Sequence, residues 1–304
     1  MNTHFEMALA RCETSGFLIG QKMRKLAAGL ISLSLTCGPC AFAQSSSTAI
    51  SSNFPSAGYL QVPPHFQPRP LDAAHKISTP PPPMPSYAQP AIPEEGYLWM
   101  PGFWARREDV RDYYWVPGTW LKPPREGLLW TPPYWSRVDG GYVFHGGYWA
   151  QAVGFYGGID YGFGYSGDGY QGGHWDNGIF SYNKAANNLG SLNIAHVYDQ
   201  AIADADQSIR VSFNGGSRGT KAQPTVQQEM VQQEMLARDQ HVVPTAEQQQ
   251  HFEMAAKDRS LYSKLNRNQP CVAATARAGV FEGNVTRSNG LPDDGHSTTG
   301  ANIE

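Results

Sequence analysis

Residues 96–120 read GYLWMPGFWARREDVRDYYWVPGTW. One phrase, Tyr-x-Trp-x-Pro-Gly-x-Trp, is written at 97–104 and again at 113–120. Reduced to aromatic-x-x-Gly-x-Trp, it continues downstream as Trp130-x-x-Pro133-x-Trp135, Phe144-x-x-Gly147-x-Trp149 and Tyr170-x-x-Gly173-x-Trp175. The tryptophans of the chain (Trp99, Trp104, Trp115, Trp120, Trp130, Trp135, Trp149 and Trp175) all fall in these frames, so chance composition does not account for the pattern. The closing tryptophans are 16, 15, 14 and 26 residues apart. Self-similarity at a near-fixed period marks a repeat architecture.

The physics of one phrase predicts short strands. Pro-Gly suits a type II turn, in which Pro presets φ and Gly supplies a positive φ. On that reading Trp99 and Trp104 leave the turn on facing strands and stack across it. A bulge within one longer strand is the other reading, and two strands per phrase is preferred. The polar connections Arg106 to Asp112, Lys122 to Gly127 and Ser136 to Gly141 separate the phrases. The last contains Asp139-Gly140, a hairpin signal. The expectation is a mainly β chain, built as a Trp-rich antiparallel β-meander repeat domain over 96–220.

Each Trp can bury about 150–250 Å², on the order of 4–6 kcal/mol as an upper bound. The eight tryptophans are therefore candidates both for packing and for an open aromatic face that binds sugar rings, with packing the stronger reading. Residues 154–173, GFYGGIDYGFGYSGDGYQGG, interrupt the period as a Gly-rich insertion, expected to be a loop or bulged strands with little side-chain core.

The flanks differ in kind. Arg24-Lys25, an apolar run from Leu26 to about Cys40, and Ala41-Phe42-Ala43 have the layout of a secretory signal peptide at 23–43. Residues 1–22 lack it, and Met23 is the expected initiator. Cys37-Gly38-Pro39-Cys40 spells a redox motif but sits inside the leader, not at a helix N-terminus where a thiolate is stabilised. A mature chain from Gln44 keeps Cys271 and is expected to fold without an internal disulfide. Residues 44–95 are Ser- then Pro-rich and read as a disordered linker or polyproline II. Helices are expected in the Gln-rich zone 221–265. The first follows Thr225. The second is capped by Thr245 with Gln248 and runs to about Leu265. Both are expected to be solvated, with His241 and His251 on the surface. Residues 266–304 read as a disordered tail.

Composition and motifs limit the chemistry. The formal net charge is −3 with no dominant basic run, which argues against a nucleic-acid partner. Asp160, Asp168, His174 and Asp176 are too irregularly spaced for a calcium loop, so neither a metal nor a cofactor is expected. Gly215-Gly216-Ser217-Arg218-Gly219 spells Gly-x-Ser-x-Gly, but the Thr-Lys-Ala-Gln-Pro after it does not open a helix as a nucleophile elbow requires, and His-Glu-x-x-His is absent. Glu126 with Asp139, or Glu108 with Asp112, are the carboxylate pairs that a glycan hydrolase would need, and their separation decides that role.

The phrases at 97–104 and 113–120 resemble those of the YXWGXW (WxxGxW) repeat-containing proteins. The Gly-rich run 156–165, Arg210 to Gly216 and Cys271 to Arg277 resemble stretches of longer members. Pro133, Phe144 and Tyr170 depart from the motif. The resemblance implies an exported bacterial protein and carries over no catalytic residues. The expected role is a non-enzymatic periplasmic or secreted module, structural or interacting with the envelope, without a transmembrane segment in the mature chain. Its partner would be a cell-envelope glycan or another envelope protein. A carbohydrate- or peptidoglycan-binding module is the alternative.

Overall fold

The computed structural model describes residues 76–167, 169–202, 210–238 and 242–289. The leader, residues 44–75, Asp168, His241 and residues 290–304 lie outside them.

Two long hairpins form the centre. In the first, β1 (Leu98–Met100) and β2 (Phe103–Arg107) run out, and β3 (Asp112–Val116) and β4 (Gly118–Leu121) run back. β1 pairs with β4 and β2 with β3, both antiparallel. Chain reversal occurs in the polar stretch between Arg107 and Asp112, where Arg111 takes φ +50°. In the second hairpin, β5 (Leu129–Thr131) and β6 (Tyr134–Val138) run out, and β7 (Gly141–His145) and β8 (Tyr148–Ala150) return. Here β5 pairs with β8 and β6 with β7. The expected Asp139-Gly140 turn closes it, with φ +46° and +79°.

The Pro-Gly pairs therefore do not reverse the chain. Each is an inflection between two short strands of one hairpin arm, and Gly102 and Gly118 do not take positive φ. This corrects the type II turn. The preferred reading of two strands facing across each Pro-Gly is corrected with it: the two short strands of a phrase follow one another along one arm, nearer to the reading of an interruption within a longer strand.

The Gly-rich insertion forms β9 (Asp160–Gly162) and β10 (Tyr165–Ser166), and then the fifth phrase opens β11 (Gly173–Asp176), which pairs with β12 (Ile179–Asn183). It has more core than its glycines suggest. Tyr156, Ile159, Tyr161 and Tyr165 are all buried. Tyr161 Oη donates to Pro133 O, and Tyr165 Oη donates to Trp130 O at 2.8 Å, which ties the insertion onto the second hairpin. β13 (Val197–Tyr198) joins β12 in parallel, and β14 (Phe213–Asn214) joins β6 in parallel.

Both flanks are more ordered than their composition implies. Residues 76–95 bury Met84, Tyr87 and Ile92 and bond to distant backbone, Met84 N to Arg210 O at 3.1 Å and Ile92 N to Asn188 O at 2.9 Å. Extended Pro-rich chain has no internal hydrogen bonds, so its backbone groups are available to neighbours. At the other end, β15 (Ala274–Thr275) lies parallel to β4, and β16 (Val285–Thr286) lies antiparallel to β15. Cys271 to Ala274 are buried. A coil reading of 76–95 and 266–289 is thus corrected, because tertiary pairing supplies what local periodicity lacked. Cys271 is disulfide-bonded, against the expectation of a fold without such a bond. The other cysteines, Cys12, Cys37 and Cys40, lie outside the described residues.

Helix α1 (Val226–Arg238) follows Thr225, whose Oγ1 accepts from Gln228 N at 3.2 Å. It exposes Val226 and Met230, as a solvated helix does. α2 (Ala246–Lys257) has the expected Thr245/Gln248 capping box. It ends at Asp258, before the expected Leu265, and a 3-10 turn (Arg259–Leu261) and the short α3 (Ser263–Asn266) follow. It is not loosely docked. Gln248, His251, Phe252, Ala255 and Ala256 form a buried stripe at the i, i+3, i+4, i+7, i+8 positions of one helical face.

Candidate functional site

The aromatic core is organised by pairs between phrases, not within them. Trp99 faces Trp120 and Trp104 faces Trp115, ring centroids 5.3 and 5.2 Å apart and both edge to face. In the second hairpin Trp130 faces Trp149 at 5.4 Å and Trp135 faces Phe144 at 4.9 Å. Such tilted pairs suit the ring quadrupole. These seven tryptophans are all 4% exposed or less.

Each opening ring lies over the glycine of the opposite phrase. A Cβ on Gly102 would stand 2.3 Å from Trp115 Cζ2, and one on Gly118 would stand 2.6 Å from Trp99 Cζ2. The two glycines also abut, with Gly118 N 2.9 Å from the Gly102 Cβ position. Glycine is thus required for ring clearance. In the second hairpin Trp130 covers Gly147 in the same way, at 2.4 Å. The reciprocal position holds Pro133 in place of Gly, and the opening aromatic of its partner phrase is the smaller Phe144. The two departures from the motif therefore fall at matching positions.

The indole N–H groups reach outward to the rest of the chain. Trp104 donates to Pro83 O (3.0 Å) and Trp120 to Pro90 O (2.9 Å), fastening the Pro-rich segment. Trp115 donates to Ala273 O at 2.9 Å beside β15, and Trp149 to Gln248 Oε1 at 2.7 Å on α2. Trp135 donates to Trp104 O at 2.8 Å, joining the hairpins, and Trp175 to Leu128 O at 3.0 Å. Every closing tryptophan makes such a bond, whereas Trp99 and Trp130, both opening, have no partner for Nε1. The closing position needs a ring with a donor. The opening position can lose it, as at Phe144.

The fifth phrase has no phrase opposite. Trp175 faces Phe180 across an Asn177-Gly178 turn, at 5.2 Å, and is only half-buried. It lines a shallow cavity of about 350 Å³ with Phe180, Ile179, Lys122, Glu95 and Glu126.

Two hairpins, each made of two facing phrases, bring the sequence pattern and the geometry into agreement. The chain carries two WXXGXW repeats. That repeat family matches residues 96–120 and 127–150, one match to each hairpin. No curated protein and no solved structure matches the chain.

A WXXGXW repeat is thus a pair of phrases here, and the unpaired fifth phrase lies outside the matches. The carboxylates considered for hydrolysis sit around the repeats in structural settings. Asp112 is buried and accepts from Ser263 Oγ at 2.8 Å and Lys264 N at 3.3 Å, holding the start of α3 against β3. Glu108 is paired with Arg106 in the turn. Asp139 pairs with Lys76 at 2.8 Å, and this bond lowers its pKa. Glu126 lines the Trp175 cavity.

Sequence alone passes over His145 and places His251 on the surface. His145 Nε2 lies 2.7 Å from Ser136 Oγ, and its ring stacks on Tyr134 at 4.3 Å. In a catalytic Ser–His pair a third polar group orients the base. Here stacking does so, and desolvation lowers the histidine pKa to about 4. His251, expected on the surface, is fully buried. Its Nδ1 accepts from Gly279 N at 2.9 Å and its Nε2 lies 2.8 Å from Pro117 O, so the neutral Nε2–H tautomer satisfies both. Burial lowers its pKa to about 4 as well. The signal was the spacing of the α2 stripe, legible only if Gln248 and His251 are admitted to an apolar face. Among the described residues no helix is long and apolar enough to cross a membrane, and no His/Cys/Asp/Glu group suits a metal.

Proposed function

We propose that the protein is an exported, non-enzymatic scaffold of the bacterial envelope or periplasm, in which the WXXGXW hairpins are a rigid anchor for the rest of the chain. The observation that carries this is the direction of the indoles. Seven of the tryptophans are turned into the core, and the N–H groups of four of them, Trp104, Trp120, Trp115 and Trp149, fasten the Pro-rich segment, the β15 region and α2. Rings used in this way stabilise a platform and are not an open face for sugar. The engagement of Asp112, Glu108 and Asp139 in structural bonds supports a non-catalytic role for those carboxylates. The leader-like segment 23–43 and the repeat family support export.

The test is fractionation of the native host with in vivo cross-linking. Recovery from periplasm, envelope or medium in complex with an envelope component supports the proposal. Recovery from the cytoplasm, or turnover of an envelope glycan by the purified protein that is lost on Glu126→Gln, overturns it.

A further inference from the structure

We propose that the Trp175 cavity is a receptor for an organic cation, an ammonium or guanidinium group carried on an aliphatic stem. Three features of the cavity converge. First, its aromatic wall is built and held. The Trp175 indole is fixed by its bond to Leu128 O at 3.0 Å and by the Phe180 ring at 5.2 Å, yet stays half open because no second phrase covers it. A fixed, partly desolvated indole is the best cation–π partner among side chains.

Second, the local charge is unbalanced toward acid. Lys122 is already paired with Glu94 at 3.1 Å. Glu95 and Glu126 line the same cavity, and among the described residues neither has a cationic partner. Gly178, at φ +80°, leaves room for Glu126, since a Cβ there would stand 3.1 Å from Oε2. A neutral sugar would use these carboxylates as acceptors but leave their charge unmatched. An ammonium or guanidinium matches it.

Third, Ile179 lines the cavity while 45% exposed, which offers an apolar contact for a stem. An aliphatic amine thus has a counterpart for each of its parts. Exposed carboxylates and an open wall imply weak binding, with a Kd on the order of 1 mM.

The experiment uses the full chain labelled with ¹⁵N at tryptophan, with the Trp175 indole resonance assigned from Trp175→Phe. The probes are N-acetyl-lysine methylamide and its neutral analogue N-acetyl-norleucine methylamide. The expected result is a saturable shift with the lysine probe alone, weakened at least about fivefold in Glu95→Gln/Glu126→Gln, whose two changes lie at the surface and leave the melt unchanged. A shift of equal affinity with the norleucine probe, no shift with the lysine probe, or an unaltered affinity in the double variant overturns the proposal. Two further arms identify the source of the cation. A lysine-rich peptide that saturates well below the single amine assigns the group to a partner protein. Equal saturation, amine for amine, assigns it to a small free amine.

Discussion

The indole of Trp115 lies so close over Gly102 that a Cβ there would stand 2.3 Å from Cζ2, and Trp99 lies over Gly118 in the same way. This reciprocal cover of glycine by an opening tryptophan is the geometric content of the repeat. It makes the ring and the glycine one unit split between two phrases.

Gly102→Ala should therefore destabilise the protein strongly. The ring is buried and the second neighbour is backbone, so neither gives way cheaply, and overpacking of this kind costs about 1–3 kcal/mol or more. Gly102→Ala/Trp115→Phe should lose less than the sum of the two single changes, because the smaller ring makes room as Phe144 does in the second hairpin. Chemical denaturation of the three variants reads this, and strict additivity would count against the unit.

Within the second hairpin, Trp149→Phe should cost more than Trp130→Phe. Both rings are buried, but Trp149 donates to Gln248 and Trp130 Nε1 has no partner. The difference should be about 1–3 kcal/mol, the usual penalty when one member of a buried hydrogen bond is removed. Trp115→Ala and Trp120→Ala should instead cost alike, about 3–5 kcal/mol, since both are fully buried and both donate. Denaturant midpoints of the four variants check this, and equal losses for Trp130→Phe and Trp149→Phe would refute it.

Stability should fall with acid between about pH 6.5 and pH 4. His251 and His145 have folded pKa values of about 4, lowered by desolvation from the ordinary 6.5. Across that window the unfolded chain binds more protons than the folded one, so unfolding free energy rises with pH. The contribution is fully present above about 6.5 and gone below about 4. For fully buried His251 it is on the order of 3 kcal/mol. His251→Gln can keep a donor and an acceptor while removing one titration, so it should flatten the slope. A wild-type stability independent of pH over this range would contradict the assignment.

Protein isolated from the native host should begin at Gln44, after Ala43, and the Cys271 disulfide then belongs to the uncleaved chain, because Cys12, Cys37 and Cys40 all precede the cut. Edman sequencing or intact mass reads this directly. A mature chain that retains Cys37 and Cys40, or Cys271 recovered in a disulfide to one of them, would overturn the processing.

Much of the β core was determined by the sequence alone. Aromatic-x-x-Gly-x-Trp at a near-fixed period specified strand-forming phrases, Asp139-Gly140 specified a hairpin, and Thr245 with Gln248 specified a helix start. These signals are local. Each depends on residues a few positions apart whose backbone preferences or caps act within one turn. The tertiary structure decided the rest. The role of Pro-Gly depended on which phrase lies opposite, because a glycine needed for ring clearance and one needed for positive φ are the same letter. Residues 76–95 and 266–289 became ordered because their carbonyls and strands meet indole N–H groups and β4 far along the chain. His251 became buried because Pro117 and Gly279 satisfy both its nitrogens. Whether the tryptophans face inward or outward was likewise decided by pairing between phrases. Trp175, with no phrase opposite, is the one left half open.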